Sequence, residues 1–207
     1  MAQSVLIRKA ESADSGRIAA LHCQQIPWGQ LTQMGEGLVA SFYAELLDAP
    51  LGFGFLSERD GRVVAFACGV VNWRQLYRAF LLRHPGLAVR ILAASLRRGR
   101  WRRLLETTRY TVSTKLPHAE LVSIALDSDV RGTGVASELV LRVLNEFAAR
   151  HVGAVRVTTG SANTPANRLY ERMGFRLHSE AEIHPGIWAS IYVIALDGPA
   201  PRQPVPS

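Results

Sequence analysis

Apolar residues recur along this chain with two different periods, and the points where one gives way to the other mark the borders of its elements. Short apolar or alternating runs bounded by turn residues predict strands at "SVLIRKA" (4–10), 54–57, 63–72, "AELVSIALD" (119–127), "AVRVTTG" (154–160), "GFRLHSE" (174–180) and "GIWASIYVIAL" (186–196). Asp60–Gly61 is the turn signal between the second and third of these. A helical period predicts helices at 12–23, where Ile18, Ala19, Leu21 and His22 share a face, within 35–49, at 134–150 and at 164–173. In the third helix Val135, Leu139, Val143, Leu144 and Phe147 form one apolar stripe, and Gly153 comes after its end. Pro165 stands in the first turn of the last helix. Segment 73–109 is also helical by pattern, split by Pro85–Gly86 and by Gly99, and predicts two helices inserted between the third and fourth strands. The order predicts an α/β domain built on one mixed sheet, without the strict alternation of a doubly wound fold.

Length and composition narrow this. With 207 residues and 48% hydrophobic residues the chain can bury a substantial core, and one domain over 1–197 is expected, with a proline-rich, disordered tail at 198–207. No run reaches the length of a membrane span and the first residues lack the order of a secretory signal, so a cytoplasmic protein is expected. Cys23 and Cys68 lie in apolar contexts and read as reduced, buried thiols; two cysteines are too few for a metal cluster, and no metal is expected. The net charge of +7 is uneven: 73–109 holds ten arginines against the single acid Glu106, a local net of +9, so the rest of the chain carries −2. Basicity belongs to one segment, and it lacks the interleaved aromatics of a nucleic-acid platform. Nucleic acid is therefore not an expected partner, while contact with a membrane surface stays open.

The chemistry concentrates in "RGTGVA", Arg131 to Ala136, where a strand ends and a helix begins. A helix start presents unpaired backbone N–H groups and the positive end of the helix dipole, and glycines at 132 and 134 let a ligand approach the main chain. That combination suits a diphosphate. It is no Walker loop, because no Gly-Lys-Ser/Thr comes after it, and it lacks the third glycine of a dinucleotide fingerprint. Taken alone, the hexad is equally compatible with a strand-to-helix turn that binds nothing.

The hexad has company. Arg131, Gly134 and Ala136 match the Gln/Arg-x-x-Gly-x-Gly/Ala signature of the GNAT superfamily of N-acetyltransferases; "AELVSIALD", "NTPANRLYERMGF" and "IRKAESADSGRIAALH" also resemble that superfamily, in its order and spacing. The resemblance spans the chain apart from the insert and the tail. It implies the GNAT fold, a mixed central sheet flanked by helices, and acetyl-CoA as co-substrate. It further implies that the pyrophosphate sits on Arg131, Gly132, Thr133, Gly134, Val135 and Ala136 with Ser137 nearby, and that the pantetheine arm lies along Ile124, Ala125 and Leu126, where this strand splays from "AVRVTTG". Asn163 and Asn167 resemble the asparagines that bond the arm; Arg172 could meet the 3′-phosphate or simply face water.

For catalysis, the resemblance assigns Tyr170 as general acid toward the CoA sulfur and Glu120 as general base, against the plainer alternatives of a packed aromatic and an exposed strand-end carboxylate. The ribosomal-protein N-terminal acetyltransferases place their base on the next strand, where this chain has Thr158. His22, His118 and His184 read as surface or loop histidines. The acceptor stays open between the amine of a small molecule, a peptide amine, and no acceptor at all in an acyl-CoA-binding module that docks through its basic insert. Exposed strand edges would allow a homodimer. The insert is expected beside the acceptor site, its arginines, among them Arg97, Arg98, Arg102 and Arg103, facing water or the acceptor.

Overall fold

The computed structural model describes residues 6–27, 31–86, 116–184 and 186–196. Their strands form one seven-stranded sheet: β1 (Leu6–Lys9), β2 (Gly52–Arg59), β3 (Arg62–Val70), β4 (Ala119–Leu126), β5 (Ala154–Gly160), β6 (Arg176–His184) and β7 (Ile187–Ala195), in the order β1-β2-β3-β4-β5-β7-β6. Every pairing is antiparallel except β4 with β5, which are joined by a crossover helix as parallel neighbours must be. The β2–β3 hairpin turns at Asp60–Gly61, both at positive φ (52° and 74°), the backbone that a two-residue primed turn requires. β2 runs longer than the expected 54–57, because once the turn fixes the register, polar ends such as Glu58 and Arg59 continue the ladder, while β3 gains Arg62 and ends at Val70, short of the expected 72.

Helices cover both faces. α1 (Ser15–Gln25), α2 (Glu36–Asp48) and α3 (Trp73–Arg83) lie on one face, where Ile18, Val39, Phe42, Tyr43 and Leu46 pack on Leu56, Phe66, Cys68 and Val70. α4 (Val135–Ala149) and α5 (Thr164–Arg172) lie on the other, where the predicted stripe Leu139, Val143, Leu144 and Phe147 joins Phe53, Leu121, Val155, Val157 and Tyr192. β3, covered on both sides, is accordingly apolar almost throughout. Of the arginine-rich segment, α3 is a helix capped by Asn72, whose side chain accepts the Gln75 N–H at 3.2 Å, and it packs Phe80 edge-on against Phe42. The second inserted helix and the arginines assigned to it fall on 87–115, and the tail on 198–207, outside the described residues. Of the two cysteines, Cys68 is buried, Cys23 is half-buried, and both are free thiols.

β4 is irregular in two places. Its pairing with β3 slips by one residue, from Gly69↔Leu121 to Cys68↔Ser123, so Val122 is extra and side-chain alternation is reset there. Its pairing with β5 covers only Ala119–Leu121 against Val155–Val157, after which the two strands part.

Candidate functional site

β4 ends in a tight polar junction. Asp127 accepts the Ser128 N–H at 2.7 Å and the Arg62 guanidinium at 2.6 Å, while Arg59 pairs with Asp129. A single 3₁₀ turn, Ser128–Val130, leads into the hexad. There Gly132 and Gly134 stand at φ 76° and 89°, a backbone that L side chains rarely adopt, and a Cβ on either would meet no atom within 4 Å. The glycines are thus required by the chain's path, and the ground in front of them is open. Thr133 donates to the Val130 carbonyl at 2.7 Å and Arg131 to Gln25 Oε1 at 2.5 Å.

Gly134 is the N-cap of α4, and no side chain caps that helix among the described residues. Helix geometry leaves the N–H groups of Val135, Ala136 and Ser137 without an intrahelical partner; the first bond back to the cap is Glu138 N–H to the Gly134 carbonyl at 3.1 Å. The helix start therefore presents unpaired N–H groups and the positive end of the helix dipole where β4 parts from β5. Ile124, Ala125 and Leu126 spend one backbone edge on Ala67, Phe66 and Ala65 of β3; their other edge has lost β5.

α5 closes the opposite side. Asn163 caps it, accepting the Ala166 N–H at 3.3 Å. Asn167 donates to the Ser161 carbonyl at 2.9 Å, yet its Oδ1 is buried without a partner, an acceptor missing its donor. One turn later Tyr170 is 3% exposed, edge-on to Phe175 with ring centroids 5.6 Å apart. Burial pushes its hydroxyl well above the ordinary range, so it stays protonated, and that hydroxyl has no hydrogen-bond partner among the described residues. Arg172 is exposed at the end of α5.

Glu120 lies on the face opposite Leu121, among the β4 residues turned toward the α1–α2 layer. It is not an exposed strand end. Arg156 on β5 donates to its Oε2 through Nε at 3.0 Å and Nη2 at 2.7 Å, and both side chains are largely buried. Burial raises the Glu120 carboxyl above its usual range, and Arg156 draws it back only in part. Arg156 was not among the residues expected at the site, although the sequence carries a signal for it: a lone charge between Val155 and Val157, on the strand expected to neighbour β4. Thr158, two residues on, is exposed.

The histidines divide. His118 is exposed, and the His184 side chain lies outside the described ones. His22 corrects the surface reading: it is 6% exposed, in the apolar stripe of α1, and its Nδ1 lies 2.7 Å from the Tyr43 hydroxyl. The same hydroxyl lies 2.7 Å from Ser123 Oγ. Neither Tyr43 nor Ser123 was distinguishable from ordinary core and strand residues in the sequence.

A family model described as "Acetyltransferase (GNAT) family" matches residues 20–175. The rat N-acetylaspartate synthetase is 42% identical over 76 residues, which are 35% of this chain and 25% of that protein; this chain therefore spans about a quarter of the length of the relative it matches. Among solved structures, a polyamine N-acetyltransferase of Drosophila melanogaster is similar with a TM-score of 0.63 at 15% identity, covering 93% of this chain and 100% of the other. Arabidopsis thaliana NAA60 in complex with acetyl-CoA is similar with a TM-score of 0.61 at 15% identity, covering 94% and 100%. With a family model covering most of its length and a mixed sheet that parts over an uncapped, glycine-led helix, the chain belongs to the GNAT acetyltransferase family.

Proposed function

We propose that this protein moves an acetyl group from acetyl-CoA to the primary amine of a small molecule, by direct transfer in a ternary complex. The observation that carries this reading is the junction at the end of β4, where an uncapped helix start lies next to a strand edge released by its parallel neighbour. The first suits a diphosphate and the second an amide-bearing arm that pairs like an added strand. In this reading the N–H groups from Arg131 to Ser137 hold the pyrophosphate, and the free edge of Ile124–Leu126 pairs with the pantetheine arm. Asn167 Oδ1 takes an amide N–H of that arm, while Asn163, whose oxygen caps α5, offers its amide nitrogen.

Acetyl transfer needs a neutral amine, a polarised carbonyl and a proton for the departing thiolate. Glu120 has its Oε2 held by Arg156 and its Oε1 without a partner among the described residues, and burial strengthens it as a base. Tyr170 keeps its proton at neutral pH and has nothing in the described protein to give it to. In this reading the base serves the reaction from β4 and the acid from α5. A small-molecule acceptor is supported by the relatives: one is named for N-acetylaspartate and another catalyses formation of N-acetylagmatine. The reading places the protein in the cytoplasm and calls on neither a metal nor nucleic acid.

The test is thiol release from acetyl-CoA by the purified full chain with amino acids, polyamines, amino sugars and short peptides. Saturable release with a small amine is expected. Release with peptides alone would move the assignment to a protein acetyltransferase, and tight acetyl-CoA binding without release would leave a non-catalytic acyl-CoA module.

A further inference from the structure

A buried hydrogen-bond chain runs from α1 through α2 to β4, and neither the acid–base pair nor the CoA-binding elements use it. His22 Nδ1 lies 2.7 Å from Tyr43 Oη, which lies 2.7 Å from Ser123 Oγ. Tyr43 is fully buried and edge-on to His22, Phe42 and Phe66, so its ring is fixed. The other ring nitrogen of His22, Nε2, is buried with no partner.

That orphan gives the chain a direction. Burial lowers the His22 pKa, so near neutrality the imidazole carries one N–H. On Nε2 that N–H would be a buried donor with no acceptor, whereas on Nδ1 it is bonded to Tyr43 and only a lone pair is left unpaired; orphaned buried N–H groups are the rarer of the two. Nδ1–H therefore donates to Tyr43, Tyr43 O–H donates to Ser123, and the Ser123 proton has no place left within the chain. It is presented outward.

What lies outward is set by β4. Ser123 is half-buried, comes directly after the extra residue Val122, and stands beyond the last β4–β5 pair, Leu121↔Val157, on the part of β4 that β5 has left. The bulge at Val122 puts it on the same side of the sheet as Glu120. We propose that Ser123 is a catalytic hydrogen-bond donor to the carbonyl oxygen of the bound acetyl group, with Tyr43 and His22 as positioning residues that keep its proton turned toward the thioester. This rests on the reading that acetyl-CoA lies along β4 beyond Leu121. As the amine nitrogen bonds to the carbonyl carbon, the C=O electron pair moves onto oxygen and the Ser123 hydrogen bond strengthens without transferring its proton. Glu120 takes the proton lost by the amine. The C=O bond re-forms as the C–S bond breaks, and the thiolate takes the Tyr170 proton; Tyr170 and Glu120 then re-equilibrate with solvent.

The experiment combines steady-state kinetics with infrared spectra of bound [1-¹³C-acetyl]-CoA. In the parent the carbonyl band should lie below that of free acetyl-CoA, the signature of a hydrogen-bonded thioester. Ser123→Ala should return it toward the free value and lower kcat about 10²-fold, the usual size of a lost oxyanion donor. The KM for acetyl-CoA should change by less than about twofold. Tyr43→Phe and His22→Leu should lower kcat by roughly tenfold, because Ser123 remains but is no longer aimed. His22→Asn, whose amide can donate from the place of Nδ1, should recover most of that loss, a rescue that a purely space-filling role would not show. If His22→Leu does not fold, Ser123→Ala, at a half-buried position, still decides. A parent that neither binds nor turns over acetyl-CoA overturns the acetyl-transfer reading and this inference with it. A parent that turns over while Ser123→Ala keeps its kcat, or leaves the carbonyl band unmoved, overturns this inference alone.

Discussion

At the scale of single residues, one physical cause acts on both groups for which acid and base roles are proposed. Burial favours the neutral form of both Tyr170 and Glu120, which makes the first a retained acid and the second a stronger base. Tyr170→Phe keeps the ring packed on Phe175 and removes only the hydroxyl, so turnover should fall by about 10²–10⁴ with acetyl-CoA affinity little changed; parental turnover would return Tyr170 to a packing role. Glu120 acts as base only when ionised, and its pKa is raised, so kcat/KM should climb with pH through a midpoint above the ordinary carboxylate range. Glu120→Gln should flatten that climb. A pH profile identical to the parent's would remove Glu120 from the mechanism. Matched blocks singled out Tyr170 and Glu120 in the sequence, and their acid and base roles are part of the proposal. Arg156, Tyr43 and Ser123 were not singled out, since each matters through a partner 36 or more positions away. His22 was misjudged for a related reason: a polar residue on an apolar helical face is satisfied only by a partner that the local pattern does not show.

At the scale of elements, the junctions decide more than the bodies. The α4 stripe and the Asp60–Gly61 hairpin came from period and turn chemistry, and both stand in the structure. The parting of β4 from β5 was expected from the resemblance alone and the bulge at Val122 not at all, because register is fixed between strands and leaves no mark on either one. Gly134 joins β4 to α4 at φ 89° with open space around it, so Gly134→Ala meets backbone strain alone and should cost about 1–2 kcal/mol of stability while the protein still folds. Gly134→Trp should in addition fill the approach to the helix start and abolish acetyl-CoA binding; unchanged affinity in a folded variant would move the binding site elsewhere. At the far edge, Asp14 ties the start of α1 to β1, with two Arg8 bonds of 2.8 Å, a further pairing with Arg17, and the Glu11 N–H at 3.0 Å. Arg8 holds the Asp14 carboxyl well below its ordinary range, so its contribution is present above the unfolded pKa and disappears as pH falls through the folded one. Asp14→Asn should destabilise by about 2 kcal/mol at neutral pH, below the range for a fully buried pair because Glu58 still serves Arg8. Urea titrations should show the gap between parent and variant closing in strong acid, and a gap independent of pH would exclude the charge as its cause.

At the scale of the whole molecule, the sheet is two units meeting along a short seam. One is β1-β2-β3-β4 with α1, α2 and α3; the other is β5-β7-β6 with α5. The strands of the two share only the pairing of Ala119–Leu121 with Val155–Val157, while α4 spans the same face of both. Residues 87–115, with eight of the chain's 24 basic residues against one acid, lie outside the described residues. A ligand paired along β4 and touching α5 through Asn167 would bridge the seam where the strands no longer do. Binding of this kind stabilises the folded state alone: acetyl-CoA at 100 times its Kd should add about 2.7 kcal/mol, or roughly 5–10 °C in Tm for a chain of this size. Because the stabilising contacts lie along the seam, amide hydrogen exchange should slow most at 122–126, at the start of α4 and at 158–163, with α1 and the β6 edge little affected. A Tm rise with protection spread evenly over the molecule would mean binding elsewhere. No rise at saturating acetyl-CoA would mean that the gap between β4 and β5 is not its site.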